Sequence, residues 1–297
     1  MSTFAEMVED TLAEVSSYVR NQEPITVVTQ AIDNDDLTVT LDDAGSVSKG
    51  LVEIGDELVY VKSVNKNAGT MDIMPGGRGW RGTTAAAQAV NTVVRNSPTF
   101  PRHQIKRALN DTISAIDLKA IGSYEFEFDG TQYAYALPTD FQDVTGVAWD
   151  APDTTEIWPL LKRFRIDRNF RTTSDASTVR AALVLLESPM PGRTVRVQYT
   201  KFPTPFSSAS DVFTTATGLP ASAEDVVRLG AMWRLVSTID PGKVVAMTPS
   251  ADLVDTPVPS GESTAVARYL FQLFSVRLAE EKAKQQDNYM SIIQYAR

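Results

Sequence analysis

The sequence predicts an α+β fold, in which a core of about four helices carries an inserted small β-barrel or sandwich and a second, antiparallel β-hairpin region. Three observations predict it. Apolar residues recur at helical spacing near both ends of the chain and in its middle. Two long stretches between these segments alternate apolar and polar residues, as half-buried antiparallel strands do. At 297 residues, the chain can bury a substantial core and has room for two domains.

Composition argues against several classes of protein. With 37 acidic and 28 basic residues the net charge is −9, which argues against a protein that binds nucleic acid by neutralising phosphates. The absence of cysteine excludes disulfides and cysteine-ligated metals. The first residues carry acids and lack the apolar segment of a signal peptide. The longest apolar-rich run, Val266–Val276, is too short to span a membrane, so we expect no membrane association.

The first 97 residues contain one helix and then a strand-rich segment. Within residues 1–23, apolar spacing predicts a helix over Thr3–Tyr18, with Thr3 as its N-cap and Glu6 as the capping-box partner. Residues 24–97 change to strand patterns separated by turn residues. We expect them to form a small β-barrel or sandwich of about 70 residues, inserted between two helices that pack together.

The clearest amphipathic helix is predicted over Pro98–Gly122. Its apolar residues follow the spacing of one helical face, while most of its charged residues lie off that face. Pro101 suits the first helical position and Gly122 suits the stop. A helix of this length is marginal by itself in water, so we expect it to be the centre of the core formed by residues 98–297.

Residues 123–202 predict two β-hairpins. In the segment FEFDGTQYAYALP, Asp129-Gly130 separates two alternating runs, which is a strong short-range signal for a hairpin. The segments ALVLLES and RTVRVQYT, with Pro-Met-Pro-Gly between them, predict the second hairpin.

Two further helices are predicted after a loop rich in Ser, Thr and Pro. The first covers Pro220–Asp240, with Ser222 as its N-cap and Asp225 at the third helical position. The second covers Ser263–Gln286, within the C-terminal region 263–297. Its first half is apolar nearly all round, which predicts burial either in its own fold or against a neighbouring subunit. The candidates for subunit packing are Leu270, Phe271 and Phe274.

The last residues of the chain are predicted to form a docking tail. The second half of the final helix is polar, and apolar and aromatic residues then return within the last nine positions. The alternative is that this tail folds back onto its own core. The candidates for docking are Tyr289, Met290, Ile292, Ile293 and Tyr295.

No pattern in the sequence predicts catalysis. The only histidine, His103, has no partner pattern for proton transfer and is interpreted as a surface residue. The run PGGRGWRGTT lacks the Lys-Ser/Thr ending of a phosphate loop. The acidic turn Asp33–Asp36 lacks the glycine and glutamate of a calcium loop. We therefore expect no enzymatic activity, no cofactor and no metal site.

One stretch resembles a small β-module of neck and tail proteins of tailed bacteriophages. That module reads Ile-Gly-x-Glu, a strand, and then Arg-Gly-x-x-Gly-Thr-Ala-Ala before a final Val-Val. Gln88 and Asn91 depart from it, at positions where histidine and glycine are common. The matching residues are Ile54, Gly55, Glu57, Arg78, Gly79, Gly82, Thr83, Thr84 and Ala85–Ala87.

The order of the remaining segments is similar to the head–tail adaptor (connector) proteins of tailed phages. The similarity rests on the segments FPRHQIKRALNDTISAI, YALPTDFQDVTGVAWD and LPASAEDVVRLGAMWRLV and on the long final helix. The resemblance implies a virion structural protein of the neck, made in the host cytoplasm. It implies a helical adaptor core that forms a homo-oligomeric ring, a dodecamer, between the portal protein and the next neck or tail protein. The tail of the chain would then be the portal contact.

In such a ring, DNA would pass through the lumen during packaging and ejection without specific binding. An acidic lumen repels the DNA backbone, so acids should face it, and the candidates are Asp111, Asp117, Glu280 and Glu281. Two alternatives stay open. One is a neck stopper, tail terminator or other tail-completion protein. The other is a receptor- or glycan-binding module that uses Trp80 as a stacking platform.

Overall fold

A computed structural model describes residues 2–19, 23–152, 158–172, 175–238 and 262–288 of the chain. These residues are mostly β, with 12 strands in three sheets. The prediction of a helical adaptor core is therefore wrong, because two apolar cores of the described chain are formed by these sheets and not by helices. The chain divides into two compact units, which we call the barrel unit (Phe4–Thr112 and Asp225–Ser275) and the sandwich unit (Met1–Thr3, Ile113–Glu224 and Val276–Arg297).

A six-stranded antiparallel sheet forms the β part of the barrel unit. Its strand order is β1-β6-β3-β4-β5-β2. A bridge between Val28 and Leu41 joins the two edges, so the sheet curls into a half-barrel around an apolar core that includes Val52, Val59 and Met71. That residues 24–97 are an insertion stays a prediction. The strands are β1 (Ile25–Val27), β2 (Thr38–Thr40), β3 (Gly50–Ile54), β4 (Glu57–Asn65), β5 (Thr70–Ile73) and β6 (Val93–Asn96).

The other described residues of the barrel unit are mainly helical. Arg228 links the fourth helix to the first through Asp10 and Glu14, at 3.4 and 3.2 Å. At Gly230, a Cβ would lie 2.5 Å from Thr112 Cγ2 and 2.9 Å from a ring carbon of Phe274. Glycine therefore permits three helices to approach at this point. The helices are α1 (Phe4–Ser16), α2 (Arg102–Ala115), α4 (Glu224–Ser237) and α5 (Glu262–Asn288), of which α2 and α5 continue into the sandwich unit.

Two three-stranded antiparallel sheets form the sandwich unit, with orders β7-β12-β9 and β10-β11-β8. Their inner faces share one apolar core that includes Phe128, Val147, Phe164, Leu183 and Val197. The strands are β7 (Ala120–Phe128), β8 (Ala134–Ala136), β9 (Phe141–Trp149), β10 (Phe164–Thr172), β11 (Asp175–Leu185) and β12 (Arg193–Lys201), followed by the short helix α3 (Phe213–Thr217).

Both predicted hairpins are wrong, because the strands on either side of each turn belong to different sheets. The turn at Asp129-Gly130 exists, but β7 pairs with β12 whereas β8 pairs with β11. Asp129 Oδ1 accepts hydrogen bonds from the backbone N–H groups of Thr131 and Gln132, so the side chain of Asp129 stabilises this turn locally. Likewise, β11 and β12 lie in opposite sheets.

The central helix is shorter than predicted. It ends at Ala115, and Ala120–Phe128 forms a strand instead. The strand forms because its backbone groups pair with β12 over nine residues, which outweighs the local helical pattern. Gly122 is thus a strand residue, and the ring of Tyr199 lies so close that a Cβ at this position would be 2.4 Å from Tyr199 Cζ.

Candidate interaction surfaces

Arg78 forms a buried ion pair with Glu57 in the barrel unit. Its Nε and Nη2 groups donate to the two carboxylate oxygens of Glu57 at 2.7 and 2.9 Å. Nη1 donates to the carbonyl oxygens of Asp33 and Asp36 at 2.8 and 2.7 Å, and Nη2 also donates to that of Ala86 at 2.8 Å. All five N–H donors of the guanidinium group are therefore engaged.

Glu57 is as fully bonded as its partner. Its side chain is 1% exposed and also accepts hydrogen bonds from the backbone N–H groups of Gly79 and Ala86, at 2.9 and 3.2 Å. Burial by itself would raise the pKa of this carboxyl group, but the hydrogen bonds from Arg78, Gly79 and Ala86 outweigh burial and lower the pKa. The Arg-Gly motif thus closes a loop onto the sheet.

This arrangement bears on two motifs of the sequence. All five N–H donors of Arg78 are bonded to other groups of the protein, so its guanidinium group has none left for a phosphate at the run PGGRGWRGTT. The acidic turn Asp33–Asp36 is held by Arg78 through its carbonyl oxygens, and the backbone N–H of Asp33 donates to Asp36 Oδ2 at 2.7 Å. Within the described ranges, no group of three or more His, Asp or Glu side chains is placed to hold a metal ion.

A second charged network joins the half-barrel to the helices of the same unit. Arg95 donates to Glu53 at 2.6 Å and to Glu23 at 2.5 Å. Glu53, which is fully buried, also accepts the backbone N–H of Arg102 at 2.6 Å, and Arg102 Nε donates to Glu9 at 2.7 Å. Burial raises the pKa of Glu53 despite the nearby Arg95 and Arg102. The network therefore connects β3, β6, α1 and the start of α2.

Helix α5 exposes an apolar stripe, which is the clearest candidate surface for a partner. Tyr269, Leu273 and Val276 stand at i, i+4 and i+7, and their exposed fractions are 43%, 36% and 57%. On the face of the helix directly beside the stripe, Val266 and Leu270 are buried in the chain. Leu270, predicted to pack against a neighbouring subunit, is therefore already covered by its own fold.

Phe271 and Phe274, the other two predicted packing residues, belong to an aromatic cluster with Trp233. The Trp233 ring centroid lies 5.0 Å from that of Phe271 and 6.1 Å from that of Phe274. Phe274 is half-buried, whereas Phe271 is 45% exposed. Phe271 thus has both an intrachain contact and free surface for a partner.

The second half of α5 is less solvated than its polar sequence suggests. Glu281 is 1% exposed and accepts hydrogen bonds from Ser222 Oγ at 2.8 Å and Lys284 Nζ at 2.6 Å. Gln285 forms two 3.0 Å hydrogen bonds with the backbone N–H and carbonyl groups of Lys119. These contacts fix the end of α5 beside the start of β7 within the sandwich unit. Ser222, predicted as an N-cap, instead binds Glu281.

The predicted acidic and docking residues are only partly covered by the structure. The side chains of Asp111, Asp117 and Glu280 are 54%, 67% and 50% exposed, but Glu281 is buried and does not fit the expectation of a lumen-facing acid. The predicted docking residues lie outside the described residues. They are Tyr289, Met290, Ile292, Ile293 and Tyr295.

Two aromatic residues singled out in the sequence, Trp80 and His103, are both partly buried. Trp80 is 37% exposed, and its ring centroid lies 5.3 Å from that of Tyr60. His103 is half-buried, and its Nδ1 has no hydrogen-bond partner among the described residues. Burial lowers the pKa of His103, and the positive charges of Arg81 and Arg107 lower it further.

No helix in the described ranges is long and apolar enough to cross a membrane.

Comparison with known proteins agrees with a structural protein. No curated protein matches the chain. A family model described as SU10 adaptor protein matches residues 83–291, which begin just before β6 and extend beyond the described end of α5. A match of this kind points to a structural rather than a catalytic protein. Because the match covers more than half of the sequence, the chain belongs to the SU10 adaptor protein family and is a phage adaptor-type protein.

Proposed function

We propose that this protein is the head–tail adaptor of a tailed phage, which forms a homo-oligomeric ring below the portal. The ring would be a dodecamer that joins the capsid to the next neck or tail protein, either a stopper or a tail terminator. The single observation that carries the proposal is the family match over residues 83–291. In this account, the protein has no catalytic step, and its surfaces determine its function.

The exposed stripe on α5 supports subunit packing in the ring. Tyr269, Leu273 and Val276 form a continuous apolar row on one helical face. In a closed ring, each subunit presents one surface to the neighbour on one side and a different surface to the neighbour on the other. We assign the stripe to one of these two surfaces and Phe271, which lies on the other side of α5, to the second, because aromatic and apolar side chains dominate the centre of protein interfaces.

The end of the chain is assigned to the portal contact. Five apolar or aromatic residues fall within its last nine positions, which suits anchors that fill pockets on a partner. The helix that precedes them is fixed by Gln285, so the segment starts from a defined point on the sandwich unit. Its assigned anchors are Tyr289, Met290, Ile292, Ile293 and Tyr295.

Passage of DNA through the ring without specific binding is supported by charge. The chain carries a net charge of −9, and the carboxylates of Asp111, Asp117 and Glu280 are at least half exposed, although each also pairs with a neighbouring basic side chain. We assign these three acids to the lumen, where they would repel the phosphate backbone. Glu281 is not assigned there because it is buried.

The two contact assignments are tested separately in one experiment. Emptied capsids that carry a portal are mixed with the wild-type protein, with a variant that lacks residues 287–297, and with Leu273→Glu. Capsid-bound protein is then measured by cosedimentation. We expect the truncated protein to lose attachment while its circular dichroism and thermal unfolding are unchanged. We expect Leu273→Glu to bind in fewer copies per capsid, because a charge in an apolar interface is costly.

Leu186→Glu is the matched control, since Leu186 is 55% exposed on the sandwich unit and has no assigned partner. It should bind as the wild type does. Normal attachment of the truncated protein would contradict the portal assignment. Equal copy numbers for Leu273→Glu and Leu186→Glu would contradict the subunit assignment.

A further inference from the structure

The outer face of sheet β7-β12-β9 carries a shallow trough. The opposite face of this sheet packs into the sandwich core through Val147, Val195 and Val197, so side chains that alternate with these residues point outward. The trough encloses about 210 Å³. It is lined by Gly146, Ala148, Trp158, Leu160, Arg196 and Gln198.

Small residues and an added segment of chain give the trough its shape. Gly146 and Ala148 form a low floor on β9, opposite Gln198 and Arg196 on β12. The N–H of Trp149 donates to the carbonyl of Pro159 at 3.1 Å, and the N–H of Leu161 donates to the carbonyl of Val147 at 2.8 Å. These bonds hold residues 159–161 along β9. Leu160, between them, is 62% exposed, so it presents apolar surface to solvent beside the floor.

The polar side chains of the trough have defined positions, but some of their hydrogen-bonding atoms have no partner among the described residues. The guanidinium of Arg196 lies 4.0 Å from the centroid of the Trp158 ring, and its Nε donates to Glu125 Oε1 at 2.6 Å. Among the described residues, the Nη groups of Arg196 and the side-chain amide of Gln198 have no hydrogen-bond partner. Within the described part of the chain, the trough therefore presents donors and an acceptor without a partner, next to an apolar wall.

Charge restricts the chemistry of the ligand. Arg196 and Glu125 neutralise each other across the strands, so a free anion would compete with Glu125 and a free cation with Arg196. A peptide strand cannot add at the β9 edge beside the trough, because residues 159–161 already occupy it. The trough is also smaller than the pockets of about 300–1,000 Å³ that hold drug-sized ligands. These features fit a small, neutral ring with hydroxyl groups and one apolar face.

We propose that the trough binds a neutral saccharide. The C–H face of one pyranose ring would rest against Leu160 and the edge of Trp158, whose ring face is covered by Arg196, and its hydroxyl groups would bond to Arg196 and Gln198. This site is independent of the subunit and portal contacts assigned above. It is also distinct from Trp80, whose ring packs near Tyr60 in the barrel unit.

The test is saturation-transfer difference NMR on the full chain with the methyl glycosides of glucose, galactose, mannose and N-acetylglucosamine as probes. For a ligand of about a dozen heavy atoms we expect a dissociation constant on the order of millimolar. Gly146→Val should abolish the signal of the bound glycoside by filling the floor, where a Cβ has free space up to Gln198 Oε1 at 3.8 Å. Gln198→Ala should weaken binding about tenfold through the loss of a hydrogen-bonding side chain. Trp80→Leu is the control and should bind as the wild type does.

Binding of at least one glycoside that Gly146→Val removes and Trp80→Leu keeps would support the site. If Gly146→Val does not fold, Gln198→Ala tests the site instead. Gln198 is exposed and is not part of the described apolar core, so its substitution should leave the fold intact. Three results would overturn the proposal. The first is that none of the four glycosides binds, and the second is that a glycoside binds but neither trough variant changes its binding. The third is that no glycoside binds and the trough variants weaken self-association of the protein, which would make the trough a protein contact.

Discussion

At the scale of single residues, the charges that matter for the barrel unit are buried and paired. Arg78 has a side chain that is only 6% exposed, and Glu57 is 1% exposed. A buried charge is tolerated when its partner and its hydrogen bonds are all present, and removal of one partner is costly. The sequence indicated these two residues through a family motif, but spacing did not reveal that they bond to each other.

The first prediction concerns Arg78→Lys. Lysine keeps the charge but offers three donors without the planar fork, so part of Glu57 and some of the three carbonyl groups would be left unpaired. We expect the free energy of unfolding in urea to fall by about 3 kcal/mol. Arg107→Lys is the control, because Arg107 is 82% exposed and 3.7 Å from Asp111, and it should change stability by less than about 0.5 kcal/mol. Equal effects of the two substitutions would refute the role given to Arg78.

The second prediction concerns the pH dependence at His103. Its pKa in the folded protein is lowered by burial and by Arg81 and Arg107, so the unfolded chain takes up a proton first as pH falls. The contribution of His103 to stability is therefore fully present above its ordinary pKa of about 6.5 and is lost below it. We expect His103→Gln to lose less stability than the wild type between about pH 7.5 and about pH 5.5. Urea unfolding at both pH values measures this, and a steeper loss in His103→Gln would contradict it.

At the scale of elements, pairing between distant strands determined the secondary structure where local sequence patterns predicted a different one. The existence of α1, α2, α4 and α5 followed from apolar periodicity, since those patterns are long and regular. The pairing of strands did not follow, because Asp129-Gly130 is a turn signal with no information about which strand lies beside β7. The C-terminal part of the predicted central helix became β7 for the same reason.

The third prediction concerns Gly122, where this change of element is visible. In the strand, a Cβ at Gly122 would overlap the ring of Tyr199, at 2.4 Å from Cζ. We expect Gly122→Ala to lower the free energy of unfolding by about 1–3 kcal/mol, because the ring must move. Gly146→Ala is a control in the same sheet, since its Cβ would meet nothing closer than 3.8 Å. A chain in which both alanine variants are as stable as the wild type would contradict the close packing of β7 on β12.

The sites were predicted less completely than the helices. Phe271 and Phe274 were identified from an apolar run, but the run could not show which side of α5 the fold would cover. The exposed stripe of Tyr269, Leu273 and Val276 becomes a candidate only once Val266 and Leu270 are seen to be buried. The trough around Arg196 could not be predicted from spacing, because residues from β9, β12 and the segment before β10 meet there only through the sandwich topology.

At the scale of the whole molecule, the chain is a mostly β adaptor-family protein and not a helical one. Its two units have separate β architectures, a half-barrel and a sandwich, and long helices contribute residues to both. The order of segments predicted the adaptor family, because that order is a property of the whole chain. That the acidic composition disfavours nucleic-acid binding stays a prediction. The assignment to a ring below the portal depends on contacts between copies of this chain. It must therefore be tested on the assembled protein.

The most direct test of the ring assignment is the mass of the purified protein in solution, measured by sedimentation alone and again with emptied capsids that carry a portal. We expect a monomer of 32.5 kDa by itself, and with capsids we expect a ring, whose mass is a multiple of that value, bound at the portal. If the protein does not bind portal-bearing capsids and binds tail tubes instead, this result would contradict the account and assign the chain to tail completion.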